Sequence, residues 1–222
     1  MIESKEGDIM TKKQIAERAV SALKEAFPDA VCSLTYTDPL QLLVATRLSA
    51  QCTDARVNMV TPALFERYRC AEDFAESTAE EVAGYIRSCG LYKTKSRDIV
   101  EMARTLCERY DGQVPATLDE LITLPGIGRK TANLVMGDIY HMPGAVVVDT
   151  HCIRITRRLG LHDETDQKKI ELTLRKLLPP EESNDFCHRV VLHGRATCTA
   201  RKALCESCCM SAFCKKKGVD LR

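Results

Sequence analysis

Three features of the sequence predict an all-α fold. Apolar residues recur at three- and four-residue steps along most of the chain. Proline, glycine and capping residues cut that pattern into short segments. The one β-branched run, Val146-Val147-Val148, has no evident partner strand. With 222 residues, the chain suffices for one large domain or two small ones, and folding would bury about 70% of its unfolded surface. No apolar run is long enough to span a membrane. The net charge is only +1, so any affinity for nucleic acid must come from a local basic patch.

Residues 1–10 are acidic and polar and lack the apolar stretch of a secretory signal, so secretion is not expected. The sequence holds 12 cysteines, a number that would suggest a disulfide scaffold in a small secreted protein. In a chain with no signal and room for a core they point to a reducing cytoplasm. Cys32, Cys52, Cys70, Cys89, Cys107, Cys152, Cys187 and Cys209 are scattered, and such cysteines mostly act as small buried hydrophobes.

Taken in order, residues 11–27 carry Ile15, Ala19, Ala22, Leu23, Ala26 and Phe27 at helical spacing, and Pro28 stops the helix. Asp38 followed by Pro39 is an N-cap with proline at the first helical position. Leu40, Leu42, Leu43, Val44 and Leu48 then make a largely buried helix that ends in the polar break Ser49-Ala50-Gln51-Cys52-Thr53-Asp54. A further helix carries Val57, Val60 and Leu64. Ser77 to Glu80 has capping-box spacing ahead of a helix with Val82 and Ile86 inward, ended by Gly90. Ile99, Met102, Ala103 and Leu106 define a helix over 94–109.

Thr117-Leu118-Asp119-Glu120 is a further capping box, predicting a short helix to about residue 123. Leu124-Pro125-Gly126-Ile127-Gly128-Arg129-Lys130 follows. Pro125 ends the helix, and Gly126 and Gly128 can take positive φ, so the chain reverses and restarts near Arg129. Glycine amides at a helix start point outward together and suit a phosphate oxygen. Lys130 lies just inside that start, as a phosphate contact or as a nucleophile. Val146 to Val148 reads as a buried extended connector, after which Asp149-Thr150-His151 begins a helix through Ile153, Ile155 and Leu159, closed by Gly160. Residues 170–178 form another helix, stopped by Pro179-Pro180, and the last carries Phe186, Val190, Val191 and Leu192.

Cys198, Cys205, Cys208 and Cys214 are spaced C-x6-C-x2-C-x5-C with no histidine between them. Four thiolates on so short a segment fit a closed all-sulfur site, for zinc or for an iron-sulfur cluster. Cys209 could compete with Cys208, which the turn geometry of C-x2-C favours. Arg201 and Lys202 lie between two ligands, where metal binding would fix them, whereas residues 215–217 read as a solvated tail.

The hairpin motif, Val148-Asp149-Thr150-His151 and the cysteine tail occur in an order that resembles the endonuclease III family of DNA glycosylases with AP-lyase activity. Ser49-Ala50-Gln51-Cys52-Thr53-Asp54, Gly90-Leu91-Tyr92 and His193-Gly194-Arg195 match as well, so the resemblance covers nearly the whole chain. It implies two helical domains, one over 31–142 with a helix-hairpin-helix at about 117–138. The other is discontinuous, 1–30 plus 143–222, with a [4Fe-4S] cluster loop over 198–214, and the active site lies in the cleft between them. Lys130 matches the family's nucleophile, Asp149 its catalytic carboxylate, and the four cysteines its cluster ligands. Gln51 and Leu91 match the residues inserted where a nucleotide is flipped out. Gly126, Gly128, Arg129, Thr131, His151, Arg201 and Lys202 are the further DNA-binding candidates.

The implied function is excision of oxidised or damaged pyrimidines from duplex DNA, then β-elimination on the 3′ side of the abasic site. The expected partner is double-stranded DNA with damaged bases or abasic sites, with no membrane, and the expected state is a monomer in the cytoplasm associated with the nucleoid. A monofunctional mismatch glycosylase and a non-catalytic DNA-binding module are the alternatives. An adenine-excising relative would be expected to lack the lysine and to carry an additional C-terminal domain. Bland readings stand beside the roles: Asp149 as a plain N-cap, Gln51 as a helix terminator, Leu91 as a core residue, His151 and His193 as hydrogen-bonded structural histidines. The chain departs from the family in carrying Cys52 where a small residue is more usual, in a slightly longer segment between Lys130 and Asp149, and in the extra thiol of Cys209.

Overall fold

The computed structural model describes residues 10–220, so the sequence reading of residues 1–9 lies outside it. The helices in chain order are α1 Lys12–Ala26, α2 Pro39–Ser49, α3 Asp54–Arg67, α4 Ala71–Ala75, α5 Ala79–Ile86, α6 Tyr92–Tyr110, α7 Leu118–Leu121, α8 Arg129–Asp138, α9 Thr150–Leu159, α10 Gln167–Leu177 and α11 Ser183–Ala196. The fold is all-helical as expected. Among the described residues the β-type feature is an isolated bridge between Cys198 and Ala203. Val146 to Val148 are buried and lie outside any helix or strand. No helix among them is long and apolar enough to cross a membrane.

The chain divides into two compact units, Cys32–Ala145 and the described parts of Met1–Val31 with Val146–Arg222. The first is built around α2. Asp38 caps it by accepting from the Gln41 amide at 2.9 Å, Pro39 stands at its first turn, and Leu42, Leu43, Val44, Ala45 and Leu48 are wholly buried. At about 1.5–3 kcal/mol per large apolar side chain, that burial rather than intrinsic propensity decides where α2 sits. Helices α3, α6 and α8 pack against it, and α4 and α5 pack against α6. In the second unit α1 packs on α10 and α11, and α9 packs on α11. Ile15, Ala19 and Leu23 of α1 meet a core that includes Ile155, Leu159, Ile170, Leu174, Phe186 and Val190.

Several expectations shift. The capping box before α5 is formed by Thr78 and Glu81, one residue later than the spacing suggested: the Thr78 hydroxyl accepts from the Glu81 amide and the Glu81 carboxylate from the Thr78 amide. Ser77 is drawn inward instead, its hydroxyl 3.0 Å from that of Tyr68. Helix α5 stops at Ile86, short of Gly90, and α6 begins at Tyr92 rather than 94. Helix α7 is a single turn, and the Glu120 carboxylate takes the Thr117 hydroxyl. Helix α4 escapes a reading of the sequence because five residues carry too little periodicity.

Candidate active site and cysteine pocket

The hairpin is pinned from below by Leu124 and Ile127, 2% and 6% exposed. Its two glycines do different things. Gly126 has φ +75°, and a Cβ there would lie 2.7 Å from Arg47 Nε and 2.9 Å from Arg47 Cδ. Arg47 Nε in turn donates to Asp98 Oδ2 at 2.8 Å, and Arg47 Nη2 joins the same carboxylate. The hairpin thus rests on an ion pair that no sequence motif singles out. Gly128 does not take the positive φ expected of it: at φ −97°, ψ 171° it is the extended N-cap of α8, with nothing within 4 Å of where its Cβ would be. No side chain caps α8, so its first amides face the space left by Gly128. Lys130 is exposed in that first turn, with Arg129 and Thr131 half-buried beside it.

Gln51 and Leu91 share an unusual backbone. Both are exposed and both are left-handed, with φ 53° and φ 58°. Such a conformation costs a side-chain-bearing residue about 1–2 kcal/mol, so its surroundings must impose it. The two turns touch, for a Cβ on Gly90 would lie 3.2 Å from the Gln51 carbonyl oxygen. Leu91 is 57% exposed, which removes the reading of it as a core residue.

In the other unit, the buried stretch Val146 to Val148 delivers Asp149 to the start of α9. Its carboxylate accepts from the Cys152 amide at 2.7 Å, so it is an N-cap whatever else it does. His151 Nδ1 stands 3.1 Å from Arg154 Nη2 and packs against Gly194, where a Cβ would lie 2.3 Å from that nitrogen. Burial, with Arg154 and Arg195 and against Asp149, holds the imidazole below the ordinary histidine value. These contacts fit the structural reading of His151.

Cys198, Cys205, Cys208 and Cys214 line one pocket together with Arg158, His193 and Met210. Cys209 is exposed and outside it, whereas the neighbouring Cys208 is among its lining residues. Donors surround the sulfurs: Arg158 Nη1 reaches Cys198 Sγ at 3.1 Å, the Lys216 amide Cys214 Sγ at 3.4 Å, and His193 Nε2 lies 3.6 Å from Cys208 Sγ. The Cys209 thiol, with His193, brings the Cys208 thiol down to about 4 against the effect of burial. Among the described residues no three histidine, cysteine or acidic groups converge tightly enough to hold a metal ion, and the shared pocket is the coarser feature present.

The segment between Cys198 and Cys205 is closed by its own hydrogen bonds. Thr199 Oγ1 donates to the Lys202 carbonyl at 2.6 Å and accepts from the Lys202 amide at 3.0 Å, and Arg158 Nη1 donates to the Thr199 carbonyl at 2.8 Å. Arg201 and Lys202 are exposed on this turn. The lysines over 215–217 are more than a solvated tail: Lys217 Nζ reaches both oxygens of Asp163 at 2.9 Å, and Lys215 Cγ fills the space a Cβ on Gly160 would need. Arg47, Lys95, Arg158 and Arg154 carry no sequence signal, since each looks like an ordinary surface cation on an amphipathic helix.

Residues 44–180 match the family model of the HhH-GPD superfamily of base excision DNA repair proteins. The endonuclease III of Synechocystis is 46% identical over 204 residues, covering 92% of this chain and 93% of its own. The chain belongs to the endonuclease III family. The Bacillus subtilis endonuclease III is 39% identical and is covered over its whole length, with 96% of this chain. Among solved structures, an endonuclease III trapped with DNA as a covalent intermediate matches with a TM-score of 0.87 and 42% identity over 93% of this chain and 97% of that one. The family-model match over residues 44–180 spans both the hairpin and the Asp149 connector.

Proposed function

We propose that this chain excises oxidised or damaged pyrimidines from duplex DNA and cuts the strand 3′ to the abasic site. The observation that carries the reading is the likeness to the endonuclease III trapped covalently on DNA, which extends through both units. In it the two units act as the helix-hairpin-helix domain and the discontinuous domain that the resemblance implies. The protein works as a monomer on chromosomal DNA in the cytoplasm.

A base inside a duplex is out of reach, so the nucleotide must be extruded at a cost of a few kcal/mol, least for a poorly stacked damaged base. Leu91 enters the space it leaves as an apolar wedge, and Gln51 faces the unpaired partner. Gly126 to Arg129, with Thr131 and the exposed amides of α8, grip a backbone phosphate and so bring the sugar to Lys130.

The unprotonated Lys130 Nζ attacks C1′, forming a C–N bond as the bond from C1′ to the base breaks and the base leaves with a proton. The Asp149 carboxylate stabilises the positive charge that develops on the sugar. The ring then opens to an imine between Lys130 and C1′. Loss of a C2′ proton expels the 3′ phosphate by β-elimination, and water releases the lysine.

Cys198, Cys205, Cys208 and Cys214 would hold a [4Fe-4S] cluster, a fit supported by the sulfur-lined pocket and its N–H donors. Such a cluster would brace the turn that presents Arg201 and Lys202 to the phosphates. An excision assay on duplexes carrying oxidised pyrimidines tests the reading. Base release with strand products ending 3′ to the lesion is expected. Base release without strand cleavage would point to a monofunctional glycosylase, and binding without release to a non-catalytic module.

A further inference from the structure

We propose that Lys95 is a positioning residue for base extrusion: from inside α6 its ammonium holds the C-terminal end of α2, so that the Gln51 and Leu91 turns stand as one unit. This rests on the DNA reading given above.

Lys95 is 0% exposed, and its Nζ donates to the Leu48 carbonyl at 2.7 Å. Lysine is almost never fully buried unless it is paired, and an apolar side chain of the same length would pack there at no greater cost. Packing alone therefore gives no reason for an ammonium. The carbonyl it takes does give one. Leu48 belongs to the last turn of α2, where carbonyls lack helical partners and where a cation is favoured by the helix dipole. Ala50 ends that helix and Gln51 follows at once.

At its other end the same residue is fastened to the second turn. The Lys95 amide donates to the Leu91 carbonyl at 3.0 Å, and Leu91 is the left-handed N-cap of α6. One residue thus grips the carrier of Leu91 through its backbone and the carrier of Gln51 through its side chain. The turns also meet directly, Gly90 against the Gln51 carbonyl oxygen. Cys52 and Cys89 stand one beside each turn, and burial together with the Cys52 thiol pushes the Cys89 thiol up to about 11. Burial pushes the Lys95 ammonium below the ordinary lysine value, with the Cys52 and Cys89 thiols acting in the opposite sense and Arg47 in the same sense. The left-handed backbone at both inserting residues is the strain this tie sustains.

The test compares Lys95→Met with wild type on two duplexes, one with an oxidised pyrimidine and one with a pre-formed abasic site, under single-turnover conditions. An abasic nucleotide has no base to unstack, so it needs little help from the wedge. Lys95→Met is expected to slow base excision by about tenfold or more while strand cleavage at the abasic site stays within about threefold. A loss of folded protein would lower both rates equally, so equal falls, or no fall, overturn the proposal. A second measurement does not depend on that variant folding. Gln51→Ala and Leu91→Ala are combined in otherwise wild-type protein, where turns held as one unit give a double-variant loss smaller than the product of the single losses. Losses that simply multiply overturn the proposal. Wild type inactive on both duplexes overturns the DNA reading and this inference with it, whereas active wild type with an unaltered rate ratio in Lys95→Met overturns the inference alone.

Discussion

Gly126 lies directly against the guanidinium of Arg47: a Cβ at position 126 would come within 2.7 Å of Nε. Gly128, two residues on, has nothing within 4 Å of that point. Gly126→Ala is therefore expected to destabilise the protein by about 1–3 kcal/mol, through positive φ and displacement of the Arg47–Asp98 pair. Gly128→Ala should cost under about 1 kcal/mol, through removal of a glycine N-cap. Its methyl group enters the space where a phosphate would approach, so DNA affinity should fall all the same. Thermal melts and DNA titrations of the two variants check this opposite ranking.

Cys208→Ser should abolish cluster loading and Cys209→Ser should leave it intact, because Cys208 lines the sulfur pocket and Cys209 lies exposed outside it. Iron and acid-labile sulfide measured on anaerobically purified protein read the difference. Zinc in place of iron would reassign the site.

Arg201 and Lys202 stand on a turn closed by Thr199. Replacing both by alanine should weaken binding to duplexes of any sequence by a similar factor. The dependence of log K on log salt should flatten by about 0.9 for each phosphate that is no longer neutralised. An unchanged slope would remove them from the interface.

Stability should decline as pH falls from 7 to 5. His162 is 0% exposed, with Nε2 2.9 Å from Thr156 Oγ1. Burial holds its folded pKa below the ordinary value, against Glu164 and Asp163, which favour the charged form. The unfolded chain then binds more protons below about pH 6.5, so this contribution is complete above that pH and is lost as the pH drops towards the folded value. His162→Gln should flatten the slope of denaturation midpoints across this window, where His151 adds in the same direction.

What can be read from the sequence follows from what is local. Asp38 and Pro39 announce α2, Asp149 caps α9, and Gly160 closes it at φ +87°, since each signal lies within a turn of the feature it sets. Val146 to Val148 are legible as a buried connector and not a strand, because a strand needs a partner and none is in sight. The helix-hairpin-helix is legible for the same reason, though the spacing makes its two glycines equivalent and tertiary contacts make them different. Lys95, Arg47 and Arg158 are invisible, because their partners, Leu48, Asp98 and Cys198, lie 47, 51 and 40 residues away in the chain. The left-handed backbone of Gln51 and Leu91 is equally hidden, for neither residue type favours it.

The central claim is that Lys130 forms a covalent bond to the deoxyribose. Borohydride reduction during incubation with abasic-site duplex tests it most directly, since it fixes an imine as a stable protein–DNA adduct. The account predicts an adduct with wild type and none with Lys130→Ala, while both bind the duplex. No adduct with wild type, or an equal yield from Lys130→Ala, would contradict it.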